Sequence, residues 1–181
     1  MRIALDGRRA VVVGEGAVAT AIEAALADCG ARVDRVGAPD GEAWLLVQVS
    51  GGLAGEADAG EVERFAAAAR AWAPKVGRIV HVISAAGLVP LRGRAEASAR
   101  QAALASLTRA LAMELGPSTL VNAVATGCEA GMASHAALGR AGEPEEVARA
   151  ALFLADPANT YTTGHVMAVD GGWSIGYARS F

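Results

Sequence analysis

The segment GRIVHVISAAG at residues 77–87 decides the fold of this 181-residue chain. A run of mostly β-branched apolar residues leads to Ser84 and then into a small, glycine-containing loop. Continuous apolar runs of this length are typical of strands that are buried on both faces of a parallel sheet. Functional side chains of open α/β folds lie at the carboxyl ends of such strands. The pattern therefore indicates an α/β fold and makes Ser84 a candidate site residue.

A second apolar strand pattern, at residues 9–13, leads into a glycine-rich turn and a helix pattern. The turn reads Gly14-x-Gly16-x-x-Ala19. Glycines between a strand and a helix let a dinucleotide pyrophosphate approach the helix N-terminus, so these three residues are candidate cofactor-binding residues. The alternative is a tight turn needed only for packing, which Glu15 favours because it would place a carboxylate near the phosphates.

An acid that could hold the cofactor ribose is expected about 20 residues after the first glycine of such a turn. Asp34 has this spacing, within a strand predicted at residues 31–36. Asp34 falls in the middle of that strand rather than at its tip, and Asp40 follows in a segment with turn composition. Asp34 is therefore the candidate, and Asp40 is its substitute.

Further segments share their pattern with one protein family. They are VNAVATG at 121–127, GRAGEPEEV at 139–147 and VDGG at 169–172. Together with residues 77–87, they make the chain resemble the short-chain dehydrogenase/reductase family from residue 5 to residue 172. The resemblance implies one domain over residues 1–181, with a Rossmann-like, doubly wound parallel sheet of about six strands. It also implies descent from enzymes that transfer hydride between NAD(P) and an alcohol or ketone.

The residues that carry the family's proton transfer are not all present. Ser84 matches the catalytic serine, but the tyrosine and lysine positions are occupied by Ala97 and Gln101. No Tyr-x-x-x-Lys pattern occurs anywhere in the chain, whose only lysine, Lys75, precedes the strand of Ser84. Ser84 is therefore predicted to be vestigial, with Glu96 as a weaker candidate for a replacement acid.

Two segments are shorter than in the family. Only about seven residues separate the second strand from the next apolar strand, whereas a parallel crossover usually needs a dozen or more. We expect that the family's third strand and its helix are deleted and that an extended linker crosses the sheet. The alternative is that the second strand pairs differently. Residues 128–138 leave little room for the family's substrate lid, which is also expected to be missing.

The composition and charge of the chain limit the kinds of molecule that it is expected to bind. The formal net charge is −3 and no basic cluster occurs, which excludes a typical nucleic-acid-binding protein. No apolar run reaches the roughly 18 residues of a membrane span, and residues 1–7 lack a signal-peptide core. Cys29 and Cys128 have no metal-binding spacing, so no metal site is predicted. Together these features predict a cytoplasmic protein.

These observations lead to one functional hypothesis and two alternatives. The first is a non-catalytic structural or regulatory subunit without a bound cofactor. It would form homo- or hetero-oligomers through helices at residues 61–73 and 95–115, and an active family member is one candidate partner. The second is an NAD(P)-dependent oxidoreductase with a non-standard proton donor. The third is a binding module that holds a small ligand in the cleft above Ser84.

Overall fold

The computed structural model describes residues 3–35, 39–53 and 60–176, and it contains a six-stranded parallel sheet. The strands are β1 Arg9–Val13, β2 Arg32–Asp34, β3 Leu45–Val49, β4 Arg78–Ser84, β5 Leu120–Thr126 and β6 Val166–Val169. Their order across the sheet is β2-β1-β3-β4-β5-β6, and every neighbouring pair is parallel. The predicted α/β fold with about six parallel strands is confirmed.

In the described part of the chain, four α-helices cover the two faces of this sheet. They are α1 Ala17–Asp28, α2 Glu61–Trp72, α3 Ala95–Leu115 and α4 Pro144–Ala155. Short 3₁₀ helices lie at Ala73–Lys75, Ala85–Gly87, Ala130–His135 and Trp173–Ile175. None of the helices in the described part of the chain is long and apolar enough to cross a membrane.

The central strands are apolar on both sides because helices cover both faces of the sheet. In β4, Val80 and Val82 belong to the core that includes α1 and α4. Ile79 belongs to the core that includes Trp72 of α2 and Leu111 of α3. Side chains of a strand alternate between faces, so an unbroken apolar run is what a strand between two helical layers requires.

The connection from β2 to β3 shows how the chain shortens the fold. β2 is the edge strand beside β1, and β3 lies on the other side of β1. The described residues between them, 35 and 39–44, contain no strand and no helix. The expected deletion is confirmed, and the alternative of a differently paired second strand is wrong. Of the predicted strand at 31–36, residue 36 lies outside the described residues.

The region after β5 is also compact. The strand is followed by the short 3₁₀ helix Ala130–His135, whose Met132 is fully buried in the core beneath α3. The chain then reaches α4, which begins with Glu143 as N-cap and a capping box to Glu146. This short connection leaves the carboxyl ends of β4 and β5 open to a cleft.

Candidate functional site

A cleft of about 300 Å³ lies at the carboxyl ends of the central strands. The β1–α1 turn, the last residue of β3 and residues 50–52 line it. The end of β4 and residues 126–129 after β5 also line it. This is the position at which open α/β sheets bind ligands, and its volume is at the lower end of the range for small-molecule pockets.

Ser84 lines this cleft, at the end of β4, as the sequence predicted. The residue is completely buried in the protein without a ligand. Its backbone N–H donates a hydrogen bond of 2.8 Å to the side-chain oxygen of Gln101, and its hydroxyl oxygen accepts one of 3.2 Å from the backbone of Ala86. These bonds fix the serine side chain at the turn from β4 into the 3₁₀ helix.

Gln101, which the sequence analysis predicts at the position of the family's lysine, is hydrogen-bonded to several elements of the fold. Its side chain is fully buried on α3, and its Oε1 accepts hydrogen bonds from the Ser84 backbone and from the hydroxyl of Ser50 at 3.1 Å. Its Nε2 donates a long bond of 3.4 Å to the carbonyl of Gly52. One amide thus joins the carboxyl ends of β3 and β4 to α3.

The position of the family's tyrosine carries no polar side chain. Ala97 is partly buried and packs against the apolar cluster that contains Phe65 and Leu104. Glu96, the replacement acid considered from the sequence, is exposed in the first turn of α3 and is not among the residues that line the cleft. Among the residues that the structure describes, neither Tyr161 nor Glu96 lines the cleft with Ser84.

Glu129 is a cleft residue that sequence reasoning missed. Its carboxyl group interacts with the side chain of Ser84, and its Oε2 is buried without a hydrogen-bond partner. Burial raises the pKa of this carboxyl group, and the interaction with Ser84 offsets part of that increase. The only sequence signal was an acid three residues after Thr126 of β5, and that spacing does not reveal that the carboxyl group turns inward.

The glycine-rich turn keeps the backbone features of a phosphate-binding turn. Gly14 has φ +127°, and a Cβ there would lie 2.5 Å from the carbonyl oxygen of Val49, so the turn packs directly on β3. Gly16 has φ +94°, and a Cβ added there would have no atom within 4 Å, so there is space beside the α1 N-terminus. Ala19 is fully buried in the core and has a packing role.

Asp34, the acid predicted to hold a ribose, does not line the cleft. Asp34 accepts a hydrogen bond of 2.6 Å from Nε of Arg9, at the start of β1. Arg9 also donates to Asp40 at 2.7 Å, and this hydrogen bond lowers the pKa of the Asp40 carboxyl group. The arginine thus holds both carboxylates, and neither lines the cleft.

The charges around the cleft do not suit a dinucleotide. Its charged lining residues among those the structure describes are Glu15 and Glu129, and no lysine or arginine is included. A pyrophosphate can be held by the backbone N–H groups and the helix dipole at the N-terminus of α1, but the nearby carboxylate of Glu15 opposes that attraction. The space beside Gly16 fits a phosphate, but the side chains present do not fit the whole cofactor.

A wider groove of about 850 Å³ adjoins this cleft along α2. It extends from Gly51 past Phe65 and Ala68 to Pro39 in the shortened connection. The groove lies on the face where a right-handed crossover from β2 to β3 would place a helix. The absence of a helix from the described residues of that connection accounts for the open space.

Comparison with known proteins finds a matching family model and several similar enzymes. A family model described as "Enoyl-(Acyl carrier protein) reductase" matches residues 59–174. Galactitol 2-dehydrogenase (L-tagatose-forming) of Cereibacter sphaeroides is 39% identical over 117 residues, which are 55% of this chain and 46% of that protein. The 3-oxoacyl-(acyl-carrier-protein) reductase FabG of Aquifex aeolicus is 40% identical over 110 residues, 53% of this chain and 44% of the reductase. The matched part of the chain thus spans a little under half the length of these relatives.

Solved structures match the fold over nearly the whole chain. The ligand-free aldohexose dehydrogenase of Thermoplasma acidophilum has a TM-score of 0.82 at 20% identity and covers 98% of each chain. The enoyl-(acyl-carrier-protein) reductase of Anaplasma phagocytophilum, solved in complex with NAD, has a TM-score of 0.82 at 18% identity. That match covers 99% of this chain and 97% of the reductase. At these identities the similarity establishes the fold.

Proposed function

Because the chain belongs to the short-chain dehydrogenase/reductase family, we propose that it is a non-catalytic structural or regulatory subunit of an oligomer of family members. The observation that carries this proposal is the hydrogen bonding of Gln101. Where the family has a lysine that assists proton transfer, this chain has a fully buried amide whose oxygen is bonded to Ser84 and Ser50. That amide joins the carboxyl ends of β3 and β4 to α3, and it does not assist proton transfer as the family's lysine does.

Other parts of the cleft support the same function. Ala97 offers no proton donor, Asp34 is bound to Arg9, and the described residues that line the cleft include Glu15 and Glu129 but no lysine or arginine. General acid catalysis contributes roughly 10²–10⁴-fold to a reaction rate. The loss of the donor together with cofactor contacts argues that the cleft no longer serves the family's hydride transfer.

The surface of α3 supports assembly. Its outward face is exposed and rich in small residues, and the large apolar side chain of Met113 on it is 87% exposed. Small side chains let helices approach closely, and an exposed apolar side chain gains free energy when a partner covers it. We propose that α2 and α3 contact either a second copy of this chain or an active family member.

The test is the mass of the native protein in solution, measured by sedimentation at about 10–100 μM. We expect a dimer or larger assembly, either of the chain alone or with a full-length family member from the same genome. Met113→Asp should dissociate it, whereas Leu138→Asp, at another exposed apolar residue, should not. A chain that stays monomeric alone and with such relatives would refute the proposal.

One observation favours a second candidate, an NAD(P)-dependent oxidoreductase with a non-standard proton donor. Glu129 lies beside Ser84, and its raised pKa is a property that a proton-donating carboxyl group needs. Calorimetric titration with NADH and NADPH separates the two candidates. Micromolar binding, with turnover that is lost in Glu129→Gln, would establish the oxidoreductase and overturn the non-catalytic function. The absence of heat at millimolar cofactor would exclude the oxidoreductase.

A further inference from the structure

Two buried polar atoms on neighbouring strands have no hydrogen-bond partner. They are Nε2 of His81 on β4 and Oε1 of Gln48 on β3. We propose that a proton taken up by His81 joins these two side chains and completes a hydrogen-bonded chain that runs from α3 across the sheet to α2. This pH-sensitive link lies in the interior of the fold, so its test does not depend on the proposed assembly.

His81 and Gln48 lie side by side on the face of the sheet that α2 and α3 cover. They are register partners in the parallel pair of β3 and β4, and paired strands are about 4.8 Å apart. Both side chains reach Phe65 of α2. Nε2 of Gln48 donates to the Phe65 carbonyl at 3.4 Å, and the imidazole lies edge-on to the Phe65 ring with 5.3 Å between ring centroids. The unpartnered nitrogen and oxygen therefore belong to adjacent side chains, which are 0% and 2% exposed.

The directions of the hydrogen bonds show which atom the pair lacks. The hydroxyl of Thr108 donates its one proton to the carbonyl of Leu104 at 2.9 Å. Its oxygen therefore accepts the 2.9 Å hydrogen bond from Nδ1–H of His81. A neutral imidazole has a single N–H, so Nε2 is an acceptor. Oε1 of Gln48 is an acceptor too, and one proton on Nε2 would turn two neighbouring acceptors into a donor and an acceptor.

With that proton in place, every polar group in the series has a partner. On the α3 side, Thr108 bonds His81 as it does now, and on the α2 side Gln48 still donates to the carbonyl of Phe65. The new bond from Nε2–H to Oε1 of Gln48 connects the two halves, and it is strengthened by the charge of the imidazolium. Burial opposes the charge and lowers the pKa of His81 to about 4, so the link forms in the acid range.

The groups packed on the imidazole are neutral. The neighbouring strands β3 and β5 contain no ionisable residue. On β4 itself, Arg78 lies three residues before His81 and donates to the carbonyl of Asp156. Glu61, one turn before Phe65 on α2, is paired with Arg100 of α3 at 3.0 Å. The other charged side chains of the two helices are exposed: Glu63, Arg64, Arg70, Glu96, Arg109 and Glu114. Gln48 is therefore the side chain placed to respond to the charge of His81.

The test is nitrogen-15 NMR of the imidazoles in the full chain, which reports the protonation state and the tautomer of each histidine. At pH 7, His81 should be neutral with its proton on Nδ1. On acidification, the side-chain NH₂ signals of Gln48 should shift with the same midpoint as His81. Gln48→Leu removes the acceptor and should lower the pKa of His81 by about one unit or more. The exposed His165, just before β6, is the internal control, and its signals should change alike in both proteins.

A second variant, Gln48→Glu, tests the same contact at milder pH, where acid unfolding of the protein does not interfere. Its carboxylate should keep His81 protonated at pH 6, at which the wild-type imidazole is neutral, because an opposite charge nearby favours the charged form. The inference is overturned if the neutral imidazole carries its proton on Nε2, because Gln48 would then already have its donor. It is also overturned if Gln48→Leu leaves the midpoint of His81 unchanged or raises it, or if His81 stays neutral at pH 6 in folded Gln48→Glu.

Discussion

The hydrogen bonds of Gln101 can be tested by replacing this residue with leucine, which has a similar volume and no polar atoms. In Gln101→Leu, the backbone N–H of Ser84 loses its 2.8 Å bond to Oε1 in a fully buried environment. Leaving a buried donor unpaired costs about 1–3 kcal/mol. The hydroxyl of Ser50 also loses its acceptor, but it is partly exposed and can bind water, so its loss adds about 1 kcal/mol or less. We expect the free energy of unfolding to fall by about 1–4 kcal/mol.

Gln48→Leu is a matched control, because it is the same substitution at another buried glutamine. Gln48 lies on β3 at 2% exposure, and its Oε1 has no hydrogen-bond partner. Its Nε2 donates only a long bond of 3.4 Å, to the carbonyl of Phe65. Leucine removes an unsatisfied acceptor here and leaves no buried N–H unpaired. The stability of this variant should stay within about 1 kcal/mol of the wild-type value.

The assay is urea unfolding followed by circular dichroism, at one protein concentration for all variants so that any assembly contributes equally. At unchanged slope, Gln101→Leu should be the less stable of the two leucine variants. If Gln48→Leu is as destabilising as Gln101→Leu, the reasoning is refuted, because both losses would then reflect the change of shape alone.

The pH dependence of stability follows from His81, which is fully buried and whose pKa burial lowers from 6.5 to about 4. As pH falls, the unfolded chain binds a proton on His81 before the folded protein does. The free energy of unfolding of the wild-type protein should therefore fall by roughly 3 kcal/mol between about pH 6.5 and pH 4. His81→Gln should lack this part of the pH dependence. Equal slopes for both proteins would contradict the buried neutral histidine. In the glycine-rich turn, Gly14→Ala should lower the free energy of unfolding by at least about 1 kcal/mol more than Gly16→Ala does. The reason is that only at Gly14 would the new Cβ lie 2.5 Å from the carbonyl oxygen of Val49. Equal losses in urea unfolding would show that the positive φ angle, which both glycines share, sets the whole cost.

The order of strands and helices was predictable because it depends on local patterns. The apolar run before Ser84 predicted a strand buried on both faces, and β4 is buried along its whole length. The helix predicted at 95–115 has those bounds in the structure. The short spacing before Leu45 predicted the deleted crossover because chain length alone limits which elements can fit.

The arrangement of the cleft was only partly predictable. The sequence placed Ser84 at a strand end and predicted that Ala97 and Gln101 stand at the positions of the family's dyad. It did not show that Gln101 would join two strands, because that depends on α3 packing closely against the end of β4. Gly87 permits this packing, since a Cβ there would lie 2.5 Å from the backbone of Gln101.

The amino-acid sequence by itself determined the family and the order of strands and helices along the chain, since these depend on residue types at fixed spacings. Only the tertiary structure decided the partners of the charged groups. Asp34 has the spacing of a ribose-binding acid, yet Arg9, 25 residues before it, is the partner to which it is bound. The spacing of Glu129 from β5 did not reveal that its partly buried carboxyl group interacts with Ser84. Electrostatic contacts depend on distances across the folded chain, and spacing along the sequence does not specify those distances.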